Sequence, residues 1–363
     1  MTNQTEQNNK KEPDKSAKQS KFGVLKWMFI FLLVVVLGNL AWAYSQYHQF
    51  ISMPIAHQKA PIQLSIAPGS SVTKVAYQLH QQGFMQHPKW FTWYVRYLNK
   101  QQVIKAGEFQ IEPHWTVGEL IKGLETAKNI QYPVTIVAGQ TVQQTLQMIQ
   151  ALPKIRKELN IDDVKSLQAL FNIDKPIKSK YPYATIEGWL LPETYYYQAG
   201  DSDKKIVLRA YQALQDSLDQ AWQKRQKGLP YKTPYQALIM ASIVEKETGF
   251  SAERPLIAGV FVRRMKIGMR LQTDPTVIYG IGQSYDGNIR KKDLLKKTAY
   301  NTYKIDGLPP TPIALPSAEA IQAALNPTKT KALYFVAKGG GQHHFSKTLV
   351  EHNKAVRKYL LKK

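Results

Sequence analysis

The sequence has 363 residues, with 49 Lys and Arg against 26 Asp and Glu, a formal net charge of +23, and 44% hydrophobic residues. This length and apolar content suffice for two or three domains with cores of their own, which excludes a disordered polyelectrolyte. The basic surplus favours an anionic partner such as nucleic acid, anionic lipid or an acidic polymer. Because the chain has no cysteine, disulfides, a thiol nucleophile and Cys-ligated metals are excluded.

The N-terminus predicts a tail followed by a membrane anchor. Residues 1–21 are mostly polar and are predicted to form a disordered cytoplasmic tail. Residues 22–47 are predicted to be the anchor, because Trp27 to Tyr44 is almost wholly apolar and would span about 27 Å as a helix. Lysines precede this run, so the positive-inside rule places everything after it outside the cytoplasm. The alternatives are a cleaved signal peptide and a buried helix of a soluble protein. The aromatic residues around Trp42 disfavour a signal-peptide cleavage site.

Residues 60–150 contain three short copies of a strand, a turn with a Ser or Thr cap, and a helix. The copies run from Ile66 to Leu79, from Ile111 to Leu124 and, more loosely, from Ile136 to Ile149. Units this short are predicted to pack on one another and on the aromatic segment Trp90–Tyr94. The pattern resembles the LysM-like units that bind N-acetylglucosamine polymers. A purely structural spacer is the alternative.

Residues 151–363 are predicted to form a mixed α/β region. The stretch up to residue 232 is mostly helical in pattern, with a capped amphipathic helix that begins at Asp201-Ser202 and ends near Gly228. Before it, the segment from Glu187 to Tyr195 lacks periodicity and predicts a loop of defined shape.

A short core helix is predicted to begin at Thr233-Pro234, since Ala237 to Val244 is apolar apart from one serine. The helix then presents Glu245 and, two residues later, Glu247. Glu245 lies on a mostly apolar face near the negative end of the helix dipole, and both effects are expected to raise its pKa. Such an acid could protonate a leaving oxygen near neutral pH.

A structural role for Glu245 is also open on sequence grounds. Its carboxylate could pair with Lys246 or Arg254 at the end of the helix. The spacing alone does not decide between an acid for catalysis and an ion pair.

Three later strings are dense in Asn, Gln, Asp and Tyr and are predicted to be loops: Arg263–Gly280, Thr298–Tyr303 and Gly307–Ile313. Aromatic faces beside amides and carboxylates suit a sugar polymer. With Ile243–Thr248, these strings closely resemble the endolytic murein transglycosylase family (MltG, YceG-like). The resemblance extends from the membrane span to His343-His344-Phe345 and Glu351-His352-Asn353, and covers all but the N-terminal tail.

The resemblance implies non-hydrolytic cleavage of the β-1,4 bond between N-acetylmuramic acid and N-acetylglucosamine in peptidoglycan, leaving 1,6-anhydro-muramyl ends. It implies one carboxyl group that acts first as acid and then as base, an exception to the usual pair of carboxylates in glycosidases. Glu245 is the preferred residue and Glu247 its rival. No cofactor and no metal are required. Candidates for the glycan cleft are Gln272, Thr273, Asp274, Tyr279, Tyr300, Asn301, Tyr303 and Glu187.

Each candidate for the cleft could instead shape a turn or fill the core, and Asp274 and Asn301 are the ones most easily explained so. A zinc hydrolase could draw on His343, His344 and His352 with Glu351, but the sequence lacks an H-E-x-x-H motif. A non-catalytic wall-binding scaffold is the other alternative. Nucleic acid is disfavoured as a partner because the basic bulk would lie outside the cytoplasm.

The expected protein is therefore an α+β, single-pass protein of the bacterial inner membrane with a periplasmic catalytic domain at residues 151–363. Its expected partners are peptidoglycan strands, the membrane and a peptidoglycan synthase. Nascent glycan strands are the expected substrate, because the anchor holds the enzyme near the outer face of the membrane.

Overall fold

The computed structural model describes residues 16–55, 61–126, 129–173 and 184–361, apart from the side chains of residues 16–24 and 103. Most of the predicted tail lies outside the described residues. The chain divides into two compact units, Met1–Asn129 and Ile130–Lys363. The boundary therefore falls inside the region of repeated copies and not after it.

The first unit is built from one long helix and a small α+β core. Its elements are α1 (Ser16–Ser52), β1 (Ile62–Ile66), α2 (Val72–Gln81), α3 (Pro88–Tyr97), β2 (Gly107–Ile111) and α4 (Val117–Thr126). Strands β1 and β2 pair antiparallel, with Ile62 opposite Ile111.

Helix α1 is longer than the predicted anchor at both ends. It begins at Ser16, so residues 16–21, expected to be disordered, are helical; their Ala, Lys and Gln residues are good helix formers that extend the apolar helix. Its Leu25–Ser52 portion has 28 residues, contains an 18-residue stretch of mean hydropathy 2.0, and is long and apolar enough to cross a membrane. At its far end Phe50 is buried in the core of the first unit, so the helix leads directly into that core.

The first two repeated copies pack together as predicted. They form β1–α2 and β2–α4, and the cap hydroxyls of Ser71 and Thr116 accept hydrogen bonds from the backbone N–H groups of Lys74 and Glu119. The aromatic segment forms α3, which buries Phe91 in the shared core. The third copy belongs to the second unit, because its strand pairs with a later strand there.

The second unit is mainly helical. Its elements are β3 (Tyr132–Thr135), α5 (Val142–Gln150), α6 (Val164–Leu170), β4 (Thr194–Tyr197), α7 (Asp203–Gln223), α8 (Pro234–Glu247), α9 (Arg254–Lys266), α10 (Asp274–Ile281), α11 (Lys291–Leu295), α12 (Ala318–Leu325), β5 (Tyr334–Gly339), β6 (Gln342–Ser346) and α13 (Leu349–Tyr359). Strand β3 pairs antiparallel with β4, and β5 with β6. The described chain is thus a mixed α/β structure with three two-stranded sheets.

Helix α8 lies at the centre of the second unit, as predicted. The Thr233 side chain caps it by accepting a hydrogen bond from the backbone N–H of Gln236, and a proline stands at its start. All residues from Ala237 to Val244 are buried, and the helix packs against α7, α9, α10 and α12. This packing fixes the position of the last turn, which carries both glutamates.

The prediction of loops over Arg263–Gly280 was wrong in part. Residues up to Lys266 continue α9, and α10 begins at Asp274 with Pro275 in its first turn. The many polar residues of this stretch favoured a loop. Two features that indicate helices were overlooked: the apolar stripe of α9 and the proline of α10, which is well tolerated in a first turn. Residues 298–303 and 307–313 are irregular, as expected.

Candidate active site

The last turn of α8 brings Glu245 and Glu247 into different surroundings. The side chain of Glu245 is only 6% exposed, and its Oε1 accepts a hydrogen bond of 2.8 Å from Nη2 of Arg254. Its Oε2 accepts bonds from the backbone N–H and the hydroxyl of Ser317, at 3.0 and 2.5 Å. Ser317 in turn caps α12. Glu245 therefore joins α8 to α9 and α12, the structural alternative that the sequence left open.

Lys246, the other suggested partner of Glu245, points elsewhere. Its Nζ donates a hydrogen bond of 3.1 Å to the backbone carbonyl of Gly139.

Glu247 has a very different environment. Its Oε1 accepts a hydrogen bond from the hydroxyl of Thr273, a buried residue that stands just before α10. Burial is the main cause of a pKa of about 7 for Glu247, and the negative charge of Asp274 contributes to the increase. The Thr273 hydrogen bond and the nearby His343 and Arg264 side chains offset part of this increase in pKa. A carboxyl group with such a pKa can both give and take a proton near neutral pH.

Glu247 lines a cavity of about 350 Å³. The other lining residues are Arg264, Gln272, Thr273, Asp274, Tyr303, Tyr334, Phe335, Leu349 and His352. Four predicted residues thus meet here: Gln272, Thr273, Asp274 and Tyr303. The Tyr303 hydroxyl donates to Oδ1 of Asp274 at 2.7 Å, which orients both groups along the wall. We call this space the Glu247 cavity.

A second cavity, of about 630 Å³, contains the predicted residues Glu187 and Tyr279. Glu187 is 1% exposed and accepts hydrogen bonds from the backbone N–H of Val142, the backbone N–H of Gly188 and the hydroxyl of Tyr279, at 2.8, 3.3 and 3.2 Å. Burial raises its pKa to about 7, although these three donors lower it. We call this space the Glu187 cavity.

Consecutive residues line the two cavities. Lys246 and Pro275 line the Glu187 cavity, whereas Glu247 and Asp274 line the Glu247 cavity. Further lining residues of the Glu187 cavity are Gly139, Thr141, Gln143, Gln144, Gln147, Ile278, Gly282, Gln283, Tyr285 and Ile313. Four glutamines and two tyrosines give this cavity both amide groups and aromatic faces.

Two predicted residues are held inside the fold. Tyr300 is buried, and its hydroxyl lies 2.8 Å from that of Thr311. The Asn301 amide donates to the backbone carbonyls of Asp293, Leu294 and Lys296, at 3.1, 3.0 and 2.7 Å. These bonds fix the loop after α11, and neither residue lines either cavity.

The sequence missed Arg264 as a residue of the site. Its side chain is buried, and its Nε donates to the carbonyl of Leu333 at 2.7 Å. Ile257, Phe261 and Arg264 follow one another at helical spacing on the buried face of α9. An arginine at an otherwise apolar position was the signal that could have identified it.

His352, a ligand candidate in the zinc-hydrolase alternative and part of the family resemblance, also lines the Glu247 cavity. It stacks on Tyr334, with ring centroids 5.2 Å apart, and burial together with the charge of Arg264 lowers its pKa. Over the ranges that the structure describes, no three His, Asp or Glu side chains are grouped to hold a metal ion.

Carboxyl groups, amides and tyrosines around preformed cavities are typical of proteins that bind carbohydrate. The chain belongs to the YceG-like family, which matches residues 64–358. A Bacillus subtilis relative named endolytic murein transglycosylase is 32% identical over 314 residues, covering 84% of this chain and 86% of the relative. A relative of the same name from Streptococcus pneumoniae is 27% identical over 335 residues, covering 85% of this chain and 60% of the relative.

A solved structure of a yceG-like protein from Listeria monocytogenes is also similar. It is 32% identical in sequence and covers 82% of this chain and all of its own, with a TM-score of 0.49.

Proposed function

We propose that the chain is an endolytic murein transglycosylase, a lyase that cleaves the β-1,4 bond between N-acetylmuramic acid and N-acetylglucosamine and leaves 1,6-anhydro ends. Membership of the YceG-like family and the name shared by its relatives support this proposal. The observation that carries it is the Glu247 cavity, where a carboxyl group with a pKa of about 7 lies among amide, carboxylate and tyrosine side chains.

Glu247 is the group that transfers the proton in this proposal. Protonated Glu247 donates to the glycosidic oxygen as the bond from that oxygen to C1 of the muramic acid breaks. The substrate's own N-acetyl group stabilises the cationic centre, and O6 of the same sugar then bonds to C1. The Glu247 carboxylate takes the proton that O6 releases, which restores the starting state. No water is consumed, and no second carboxyl group is needed.

The sequence favoured Glu245 for this role, and the contacts of the two side chains support the reverse order. Both oxygens of Glu245 are engaged, one with the Arg254 guanidinium and the other with Ser317. Glu247 has a hydroxyl as its hydrogen-bond donor and lines a cavity large enough to admit part of a sugar. Glu245 is then a positioning residue that fixes the end of α8.

The predicted cleft residues take two places in the proposed substrate path. Gln272, Thr273, Asp274 and Tyr303 contact the sugars around the scissile bond, and Asp274 also helps to keep Glu247 protonated. Glu187 and Tyr279 contact a neighbouring part of the glycan strand. Their cavity is lined by Lys246 and Pro275, which are next in sequence to Glu247 and Asp274 of the other cavity. Tyr300 and Asn301 support the walls.

Helix α1 anchors the enzyme in the inner membrane, with the N-terminus in the cytoplasm and both compact units on the periplasmic side. The β1–α2 and β2–α4 copies serve as LysM-like units that hold glycan. Because Phe50 and Ile55 are both buried in the core of the first unit, that unit stays close to the membrane surface. Newly made strands are therefore the favoured substrate, and a peptidoglycan synthase is a fitting partner.

The test is product analysis by mass spectrometry. The full-length protein in detergent is incubated with purified peptidoglycan, and the muramic ends of the released fragments are identified. We expect 1,6-anhydro ends and mostly internal cuts. Reducing muramic ends would show that water is the acceptor and that the protein is a hydrolase, whereas binding without new ends would indicate a non-catalytic scaffold.

A further inference from the structure

The outer face of α3 carries an unusual set of exposed side chains. Trp90, Trp93 and Tyr97 are 45%, 65% and 70% exposed, although aromatic residues of this size are normally covered in a soluble protein. Lys89 and Arg96 are exposed on the same helix, which contains no acidic residue. The Trp93 and Tyr97 rings stack at 5.6 Å with an interplanar angle of 12°, so the aromatic groups are held in place.

The opposite face of α3 fixes the helix on the first unit. Phe91, Tyr94 and Val95 are buried in the core that also contains Phe50 of α1. The exposed aromatic residues are therefore carried by a rigid element and not by a loose loop.

The ring contacts between α1 and α3 define how the two helices run. Phe50 contacts Trp90 with centroids 5.7 Å apart, and Tyr47 contacts Tyr94 at 5.8 Å. Phe50 also contacts Tyr94, at 6.4 Å, so the contacts of α3 on α1 extend from residue 50 back to residue 47 as α3 advances from residue 90 to 94. This part of α3 therefore leads toward the apolar span. Tyr97 follows Tyr94 by almost one turn of α3, so it continues in the direction of the span, in which Tyr44 lies about 9 Å before Phe50 along α1.

Tyr44 lies near the end of the apolar run of α1, where tyrosine and tryptophan side chains sit at the boundary between lipid and water. We propose that the outer face of α3, formed by Lys89, Trp90, Trp93, Arg96 and Tyr97, rests in the headgroup region of the membrane that α1 crosses. This inference depends on the proposed anchoring by α1.

The ligand class is anionic lipid. A helix with tryptophan and tyrosine together with Lys and Arg is suited to the interface, because the rings enter the headgroup layer while the cations meet lipid phosphates. Exposed aromatic rings could also stack on sugar rings, but lipid is favoured because α3 packs on the end of α1 that follows the apolar span and carries two cations and no acidic residue. The consequence for function is orientation: the first unit is held by two points, α1 and α3, and is not free to tilt on a single helix.

The chain contains no cysteine, so a single fluorescent label can be placed at will. We would label Trp93→Cys with an environment-sensitive dye in the full-length protein, reconstituted in vesicles of phosphatidylcholine and phosphatidylglycerol with shallow quencher lipids. The matched control is Ala67→Cys, an exposed position shortly before the start of α2. Gly83 and Phe84, which lie beside Phe50, follow the opposite end of that helix. We expect a blue-shifted emission and several-fold stronger quenching at position 93 than at position 67.

Two further arms separate the possible outcomes. A label at Val35→Cys, within the apolar span, must respond to deep quenchers; if it does not, the proposed anchoring has failed. If Val35→Cys responds and position 93 is quenched no more than position 67, the inference about α3 is overturned. It is overturned as well if soluble glycan strands, and not lipid, shift the emission at position 93. Replacing Lys89 and Arg96 by glutamine should weaken the quenching in anionic vesicles.

Discussion

Two regions at the end of α8 lie only two residues apart and differ in nearly every physical respect. Around Glu245, an arginine and a serine occupy both carboxylate oxygens, and three helices are joined. At Glu247, burial and a neighbouring carboxylate raise the pKa of the side chain to about 7, and the side chain lines an open cavity. The difference teaches that a buried carboxylate with a full set of partners serves the fold, whereas a buried carboxyl group with few partners is suited to proton transfer.

The largest effect is expected from Glu247→Gln. The amide has nearly the same shape but cannot donate and then accept the proton, so turnover should fall by about 10²- to 10⁴-fold. Binding of glycan strands should change little, and the unfolding midpoint should not fall. The measurement is the rate of 1,6-anhydro end formation together with a binding assay on the same preparation. Retention of near wild-type turnover would remove Glu247 from the mechanism.

The next effect concerns stability at Glu245. In Glu245→Gln, the buried Arg254 guanidinium loses its charged partner at 2.8 Å and keeps Glu319 only at 3.9 Å. We expect a loss of about 3 kcal/mol in the free energy of unfolding, measured by denaturant titration. Arg254→Gln is the matched control, and the double variant should cost less than the sum of the two single ones. Fully additive losses would show that the ion pair does not join α8 to α9.

The pH dependence of stability distinguishes Glu187 and Glu247 from ordinary surface carboxyl groups. Folding raises the pKa of both Glu187 and Glu247 from 4.5 to about 7. A group of this kind supports stability fully below pH 4.5, and this support is lost as the pH rises through 7. Each group should contribute a decrease of about 3 kcal/mol across that window.

The measurement for this prediction is the free energy of unfolding at several pH values between about 4 and 8. Glu247→Gln and Glu187→Gln should each make the decrease shallower. The turnover of the unmodified protein should also fall above pH 7, because Glu247 then lacks the proton that starts the reaction. Stability that rises with pH in this window would contradict the raised pKa values.

A smaller effect is expected from Tyr303→Phe. The change removes the hydrogen bond of 2.7 Å to Asp274 but keeps the ring in the wall of the Glu247 cavity. We expect a stability loss of about 1 kcal/mol and a higher KM with a smaller change in kcat. The matched control is Tyr300→Phe, whose hydroxyl lies 2.8 Å from that of Thr311 and which lines neither cavity. A change in KM for Tyr300→Phe and none for Tyr303→Phe would reverse this assignment.

Much of the architecture followed from local patterns in the sequence. The apolar run of α1, the cap at Ser202 and the buried α8 depend on composition and spacing within a few residues, and all three predictions were confirmed. The partner of the third repeated strand could not be predicted, since pairing of Val134 with Tyr195 depends on a segment some sixty residues later. A strand of four residues carries no information about its distant neighbour.

The site itself was only partly predictable. Gln272, Thr273, Asp274 and Tyr303 line one cavity, and their role in binding glycan stays a prediction. The choice between Glu245 and Glu247 depends on Arg254, Ser317 and Thr273, which reach α8 through tertiary packing and not through helical spacing. In the sequence, Asn301 looks the same as an amide that binds a ligand. In the structure, its side-chain N–H groups donate to three backbone carbonyls.

The most direct test compares Glu245→Gln and Glu247→Gln side by side in single-turnover reactions. Both variants are used as full-length protein, at equal concentrations of folded molecule, with the same purified peptidoglycan, and 1,6-anhydro ends are counted over time. We predict that Glu245→Gln keeps most of the wild-type rate per folded molecule, while Glu247→Gln forms almost no 1,6-anhydro ends. A rate that is lost in folded Glu245→Gln and kept in Glu247→Gln would contradict the assignment and return the proton transfer to Glu245.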